Sequence, residues 1–173
     1  HVTGTGTLAG SNGGWNDRLQ FAGPLAGSGA LTSASSRGVR FMGDTSGYTG
    51  TATVTSTSGV AFNGTNDQVF NGVIAGTRTL YKEGGKALTL GATNTFTGGT
   101  EVLGGTLRVN ALSGLGTYSA AGGGYLAVKN GATFVYAGTG TETTSRRMWL
   151  DTGAAVMDIT SPTAVLNWTP NGG

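Results

Sequence analysis

The sequence predicts an all-β fold, a β-solenoid with short rungs and Gly-rich turns, on three observations: an internal repeat, short alternating strands and a glycine-rich, charge-poor composition. Gly91, Phe96, Thr97, Gly98 and Val102 match Gly43, Tyr48, Thr49, Gly50 and Val54, each 48 positions earlier. Leu107, Val109 and Asn110 match Val60, Phe62 and Asn63 at a spacing of 47, and Phe70, Gly72, Ala75, Gly76 and Leu80 match Phe21, Gly23, Ala26, Gly27 and Leu31 at 49. Insertions and deletions of one residue at turns are what a stack of coils tolerates. The reading is one solenoid over residues 1–173, with repeat units near 23–71 and 72–120, each of about two coils of roughly two dozen residues, and spacer coils over 121–173.

The individual elements follow in chain order. Leu88 and Leu90 alternate with Thr89, Leu107 and Val109 with Arg108, and Leu126 and Val128 with Ala127, the period of a strand with one side inward. Paired glycines separate such strands, which are too short to hold hairpin sheets but long enough to stack as rungs about 4.8 Å apart. Phe96 and Tyr48 are expected at equivalent core positions one repeat apart. Gly98, Gly99, Gly104 and Gly105 are expected to supply positive φ at corners, and Thr97, Thr100 and Thr106 a hydroxyl ladder on the outer sheet. A glycine-free stretch between Gly140 and Gly153 carries Thr141, Thr143 and Thr144, whose β-branched side chains disfavour helix.

Composition narrows the class. Glycine is 34 of 173 residues with 3 prolines and no strict triplet, which excludes collagen, and 37% hydrophobic residues supply one elongated core. Charged residues are 10%, so hydroxyl, amide and backbone groups must solvate the surface. A net charge of +2 spread along the chain makes no basic patch, and nucleic acid is discounted as a partner. The absence of cysteine removes thiol catalysis, disulfides and thiolate metal sites. No apolar run is long enough for a membrane-spanning helix. The chain opens with His1 and no charged and apolar leader, as expected of a processed chain or an excised piece.

The run from Leu88 to Asn110 reads apolar pair, Gly91, Ala92, Thr93, then Asn94-Thr-Phe-Thr-Gly-Gly-Thr100, Val102, Gly104-Gly-Thr-Leu107 and a closing Val109-Asn110. It resembles the passenger-associated repeat of bacterial autotransporters, with Leu80-Tyr-Lys82-Glu-Gly84-Gly85 standing where the family has Leu-x-Lys-x-Gly-x-Gly. The resemblance runs over residues 76–110 and, faintly, 27–63, and the segment from Met148 to Ile159 with Leu166 to Trp168 is similar to that family's spacer coils. It implies a right-handed parallel β-helix in a secreted or surface-displayed bacterial passenger. The repeat-motif residues Gly91, Phe96, Thr97, Gly98, Gly99, Val102, Gly105, Leu107, Val109 and Asn110 then serve structure.

Catalytic chemistry finds little to work with. Eight carboxylates are present, and Asp17 and Asp67 occupy matching turns in a geometry that does not forbid a glycosidase pair. Asn16-Asp17 and Asn66-Asp67 are also ordinary turn residues, expected to bond their own backbone. His1 is the only histidine, so no Ser-His-Asp triad or histidine-ligated metal centre is expected, and no cofactor. The candidate contact surface is Arg146 and Arg147 beside Trp149, with Met148 and Leu150 inward, a cation and an indole suited to a sugar face or an acidic partner. The expected function is a non-enzymatic extracellular or cell-surface scaffold of adhesin type, whose partners are neighbouring coils, further copies of itself and host-surface or matrix glycans. The alternatives are a fibre subunit joined end to end through strand edges and, third, a polysaccharide-active enzyme.

Overall fold

The computed structural model describes residues 6–8 (backbone only), 18–33, 38–55, 57–118 and 123–169. His1, Asn16, Asp17 and residues 170–173 lie outside the described residues.

The chain is a β-solenoid of about seven turns with parallel pairing throughout. One face is a seven-stranded sheet made of β2 (Leu19–Phe21), β4 (Val39–Phe41), β6 (Val60–Phe62), β9 (Leu80–Lys82), β11 (Thr100–Val102), β13 (Leu126–Val128) and β16 (Met148–Leu150), one strand per coil. A second face stacks β7 (Gln68–Phe70), β10 (Ala87–Leu90), β12 (Thr106–Val109), β14 (Thr133–Tyr136) and β17 (Val156–Ile159). The third face is split. β1 (Gly6–Leu8), β3 (Leu31–Ser33), β5 (Thr51–Val54) and β8 (Val73–Gly76) form one sheet, and β15 (Thr141–Thr144) pairs with β18 (Val165–Trp168) in another. Between them the third face is completed by an extended segment, whose Thr95 and Thr97 amides donate to Ile74 and Gly76 carbonyls. A 3-10 turn (Leu112–Leu115) lies above it.

The register sets which residues share a column. On the seven-stranded face the inward columns are Leu19, Val39, Val60, Leu80, Thr100, Leu126, Met148 and Phe21, Phe41, Phe62, Lys82, Val102, Val128, Leu150. The outward column is Gln20, Arg40, Ala61, Tyr81, Glu101, Ala127, Trp149. The N-terminal half of the core is aromatic: Phe41 and Phe62 have ring centroids 5.2 Å apart, and Phe70 lies 5.2 Å from Phe62 and 5.6 Å from Tyr48. These separations are within the range of favourable offset and edge-on ring pairs. The C-terminal half is mainly aliphatic, with Leu88, Leu107, Val109 and Leu126 fully buried beside Phe134 and Tyr136.

Partners in register give the coil length. Leu80 lies over Val60, and Thr100 over Leu80, 20 positions on, whereas Leu126 lies over Thr100 at 26, because that coil holds the 3-10 turn. The copies found in sequence at 47 to 49 positions are therefore not a whole number of coils apart, and they fall on different faces. Val102 belongs to the seven-stranded sheet and its match Val54 to the four-stranded one. Tyr48 packs on Phe70, while Phe96, its sequence match, donates its amide to the Ile74 carbonyl, so the two do not stand in one column. Both are buried.

Candidate functional site

The motif residues are spent on joining one coil to the next. Asn94 is 3% exposed, accepts a 2.7 Å hydrogen bond from the Ile74 amide 20 positions before it, and donates a 2.7 Å bond to the Gly114 carbonyl 20 positions after it. One side chain thus ties three coils together in a dry interior, where an unmade bond costs most. The Gly91 backbone amide donates to the Phe70 carbonyl and the Asn71 side-chain carboxamide to the Ser46 carbonyl. Asp67 and Asn130 each accept from a backbone amide of the following coil, Ala87 and Ala154, instead of closing their own turns as expected for Asn66-Asp67.

Phe96, Val102, Leu107 and Val109 are core, and Thr97 and Asn110 face solvent. Thr100 departs from the expected outer ladder: its strand phase points it inward, where it is fully buried and its hydroxyl has no hydrogen-bond partner. Of the four glycines read as corner residues, only Gly105 has positive φ, at 62°. Gly98 is required by close approach, since a Cβ there would sit 2.2 Å from the Arg78 carbonyl carbon. The ring of Tyr125 lies against Gly99 in the same way, and Gly104 is less constrained.

Among the described residues two basic groups, Lys82 and Arg146, lie inside the solenoid. Lys82 is 1% exposed because it occupies the inward phase of β9, between Phe62 and Val102. Its Nζ donates to the carbonyls of Glu83 (2.6 Å), Gly84 (3.0 Å) and Gly104 (3.1 Å), so the Gly-Gly turns of two successive coils form its cage. Burial pulls its pKa down to about 8, with the Glu83 and Asp67 carboxylates opposing. Lys82 is not among the candidate site residues of the sequence, yet the alternation of Leu80 and Lys82 across Tyr81 carries the signal that it points inward.

Arg146 corrects the predicted contact surface. It is 2% exposed, and its guanidinium donates to the carbonyls of Leu115 (3.1 Å), Gly116 (2.9 Å) and Gly124, while desolvation lowers its pKa to about 10. It precedes β16 in a turn where the extended coil leaves three carbonyls without strand partners, and a cation in that interior answers them. Arg147 and Trp149 are exposed, Trp149 at 49%. Met148 packs against the core, but Leu150, inward by phase, is 44% exposed because no described coil covers it.

The outer surface of the seven-stranded face carries the richest side-chain chemistry. Glu83 pairs with Arg18 at 2.5 Å and Arg40 at 2.9 Å, and the Arg18 guanidinium lies 4.7 Å from the Tyr81 ring centre. Further along, the Tyr125 hydroxyl donates to Glu101 at 2.6 Å and its ring meets Trp149 edge-on at 5.1 Å. Burial and the Glu101 carboxylate push the Tyr125 phenol up to about 12. These pairs close on one another across coils. Glu142 is likewise engaged inside, accepting from the Tyr136 hydroxyl and the Leu112 amide, both at 2.8 Å. Among the described residues no three His, Cys, Asp or Glu gather as metal ligands would, and no helix is long and apolar enough to cross a membrane.

Residues from Leu80 to Val109 thus form a unit in which turns, cage and core refer to the coils above and below. Residues 80–109 match the passenger-associated-transport-repeat family. The match covers β9 through β12 and includes the Lys82 cage, Asn94 and the Gly98-Gly99 approach. Comparison with curated proteins and with solved structures gave no match. The transport repeat and the β-solenoid fit a segment of an autotransporter passenger.

Proposed function

We propose that this chain is a non-enzymatic scaffold segment of a secreted or surface-displayed bacterial passenger, a stiff spacer of adhesin type that carries its contact residues on its faces. The observation that supports this most is the use of the matched residues: the side chains of the transport repeat bond neighbouring coils, and Lys82 and Asn94 are buried where no substrate reaches them. A solenoid whose motif is consumed in stacking supplies reach and rigidity. The test is to display the chain on a bacterial surface behind an outer-membrane translocator and to score antibody access and protease resistance. Surface exposure of a protease-resistant rod is the expected result. Product release from a polysaccharide panel by the purified chain, or failure to reach the surface, would overturn the proposal.

A second reading is favoured by one observation. Trp149, Leu150, Val156, Ile159 and Val165 are exposed and all belong to the final described coil, whose strands β16, β17 and β18 are the outer edges of their sheets. Such an edge is a template for another parallel coil. End-to-end addition of a further copy predicts concentration-dependent polymers in light scattering, abolished by Val156→Lys. A monodisperse monomer at high concentration would remove this reading.

A further inference from the structure

The second face has a step. Its sheet begins at β7, and the two coils before it cross that side through strandless segments, residues 22–26 and 42–47. Those segments are stacked firmly, the Met42 amide donating to the Phe21 carbonyl and the Leu25 amide to the Asp44 carbonyl, both at 2.8 Å. Beside the turn leading into β7 they leave a recess of about 340 Å³, lined among others by Pro24, Met42, Asp44, Asn66, Asp67 and Gln68. That volume lies at the lower end of the range for ligand pockets.

The lining combines two kinds of surface. Pro24 and Met42 offer C–H groups, whereas two carboxylates and two carboxamides offer acceptors and donors. The polar groups are held in place. Asp44 accepts from the Ser46 amide at 2.9 Å, Asp67 from the Ala87 amide at 2.9 Å, and Gln68, 4% exposed, donates to the Gly43 carbonyl at 2.6 Å. Among the described residues no lysine or arginine lines the recess, so a phosphate, sulfate or uronate finds no counter-charge there. Two carboxylates alone do not make a cation site, and Asp67 is already coupled electrostatically to the buried Lys82 ammonium. The chemistry left is that of a neutral polyhydroxylated ring, whose hydroxyls donate to the carboxylates and accept from the Asn66 carboxamide while its C–H face meets Met42 and Pro24.

We infer that this recess is a binding site for a neutral oligosaccharide, one or two sugar units of which enter it. The inference deepens the scaffold proposal by giving the rod a ligand, and it fails separately from it, because display and rod shape do not depend on the recess. The experiment is ligand-observed NMR and calorimetry on the full chain with uncharged tetrasaccharides of glucose, galactose and N-acetylglucosamine, with tetralysine and an oligogalacturonate as charged probes. Saturable binding of at least one neutral tetrasaccharide is expected. Asp44→Asn with Asp67→Asn, which keep the acceptor oxygens facing Ser46 and Ala87, should weaken it at least tenfold. Ala22→Trp, at an exposed position on the rim, should abolish it with an unchanged circular dichroism spectrum. The inference is overturned if none of the three neutral sugars binds, if binding survives Ala22→Trp, or if tetralysine or the oligogalacturonate binds in preference.

Discussion

Replacing Asn94 by alanine removes one side chain and leaves two buried backbone groups without partners. Ile74 is fully buried and Gly114 buried, so neither the Ile74 amide nor the Gly114 carbonyl gains water in exchange. An unsatisfied buried donor or acceptor costs about 1–3 kcal/mol, and two of them place the loss at about 2–6 kcal/mol, a large fraction of a domain's net stability. The Asn94 amide still bonds the Ser113 carbonyl, so the local coil path is retained and the loss is assigned to the two cross-coil bonds. Equilibrium urea unfolding measures the total, and hydrogen exchange at the Ile74 amide locates it. Thr93→Ala, which removes only an exposed hydroxyl contact with Ser113, serves as the control and should change stability by less than about 0.5 kcal/mol. A loss below about 1 kcal/mol for Asn94→Ala, with Ile74 exchange unchanged, would refute the view that this residue ties three coils together.

Three further outcomes follow from the same contacts. Gly98→Ala forces a Cβ to 2.2 Å from main chain and should destabilise by about 1–3 kcal/mol, whereas Gly85→Ala, with nothing within 4 Å, should be neutral or stabilise by up to about 1 kcal/mol; thermal melts of the pair check both. Lys82 is depressed to about 8 from 10.5, so between those values the unfolded chain holds a proton the folded chain lacks, and stability rises with pH. Tyr125 and Tyr136, raised to about 12 from 10.0, act oppositely: their contribution is full below pH 10 and is lost between 10 and 12. Urea midpoints should therefore climb above pH 8 and fall above pH 10, and Lys82→Met should flatten the rising limb. Arg146→Ala should cost about 3 kcal/mol or more, because it strands three buried carbonyls at about 1–3 kcal/mol each, while exposed Arg147→Ala should change the urea midpoint little.

Strand phase was legible wherever an apolar pair flanked a polar residue: Leu88 and Leu90, Leu107 and Val109, Leu126 and Val128 all face inward as their alternation requires. The same rule applied to Leu80 and Lys82 yields the buried ammonium, but the usual preference of lysine for water masked it. For Arg146 no alternation was available, because it lies in a turn before β16 and its burial depends on carbonyls 22 to 31 positions away. The coil length was obscured by the repeat itself. Similar residues at 47 to 49 positions reflect similar turn chemistry on different faces, whereas stacking follows the shorter coil of about 20 residues.

The internal repeat, the Gly-rich turns and the short alternating strands by themselves determined a stack of short rungs, and the motif from Leu80 to Asn110 its likeness to passenger repeats, whose parallel coils that likeness implied. Those are local properties, written in spacing and side-chain type. Only the tertiary structure decided which residue sits above which, and with it the cage around Lys82, the double bond of Asn94 across coils, the burial of Arg146 and the recess where the second sheet begins. Each of those depends on the register between coils, which is set by the sum of many weak rung contacts and is written in no single segment of the chain.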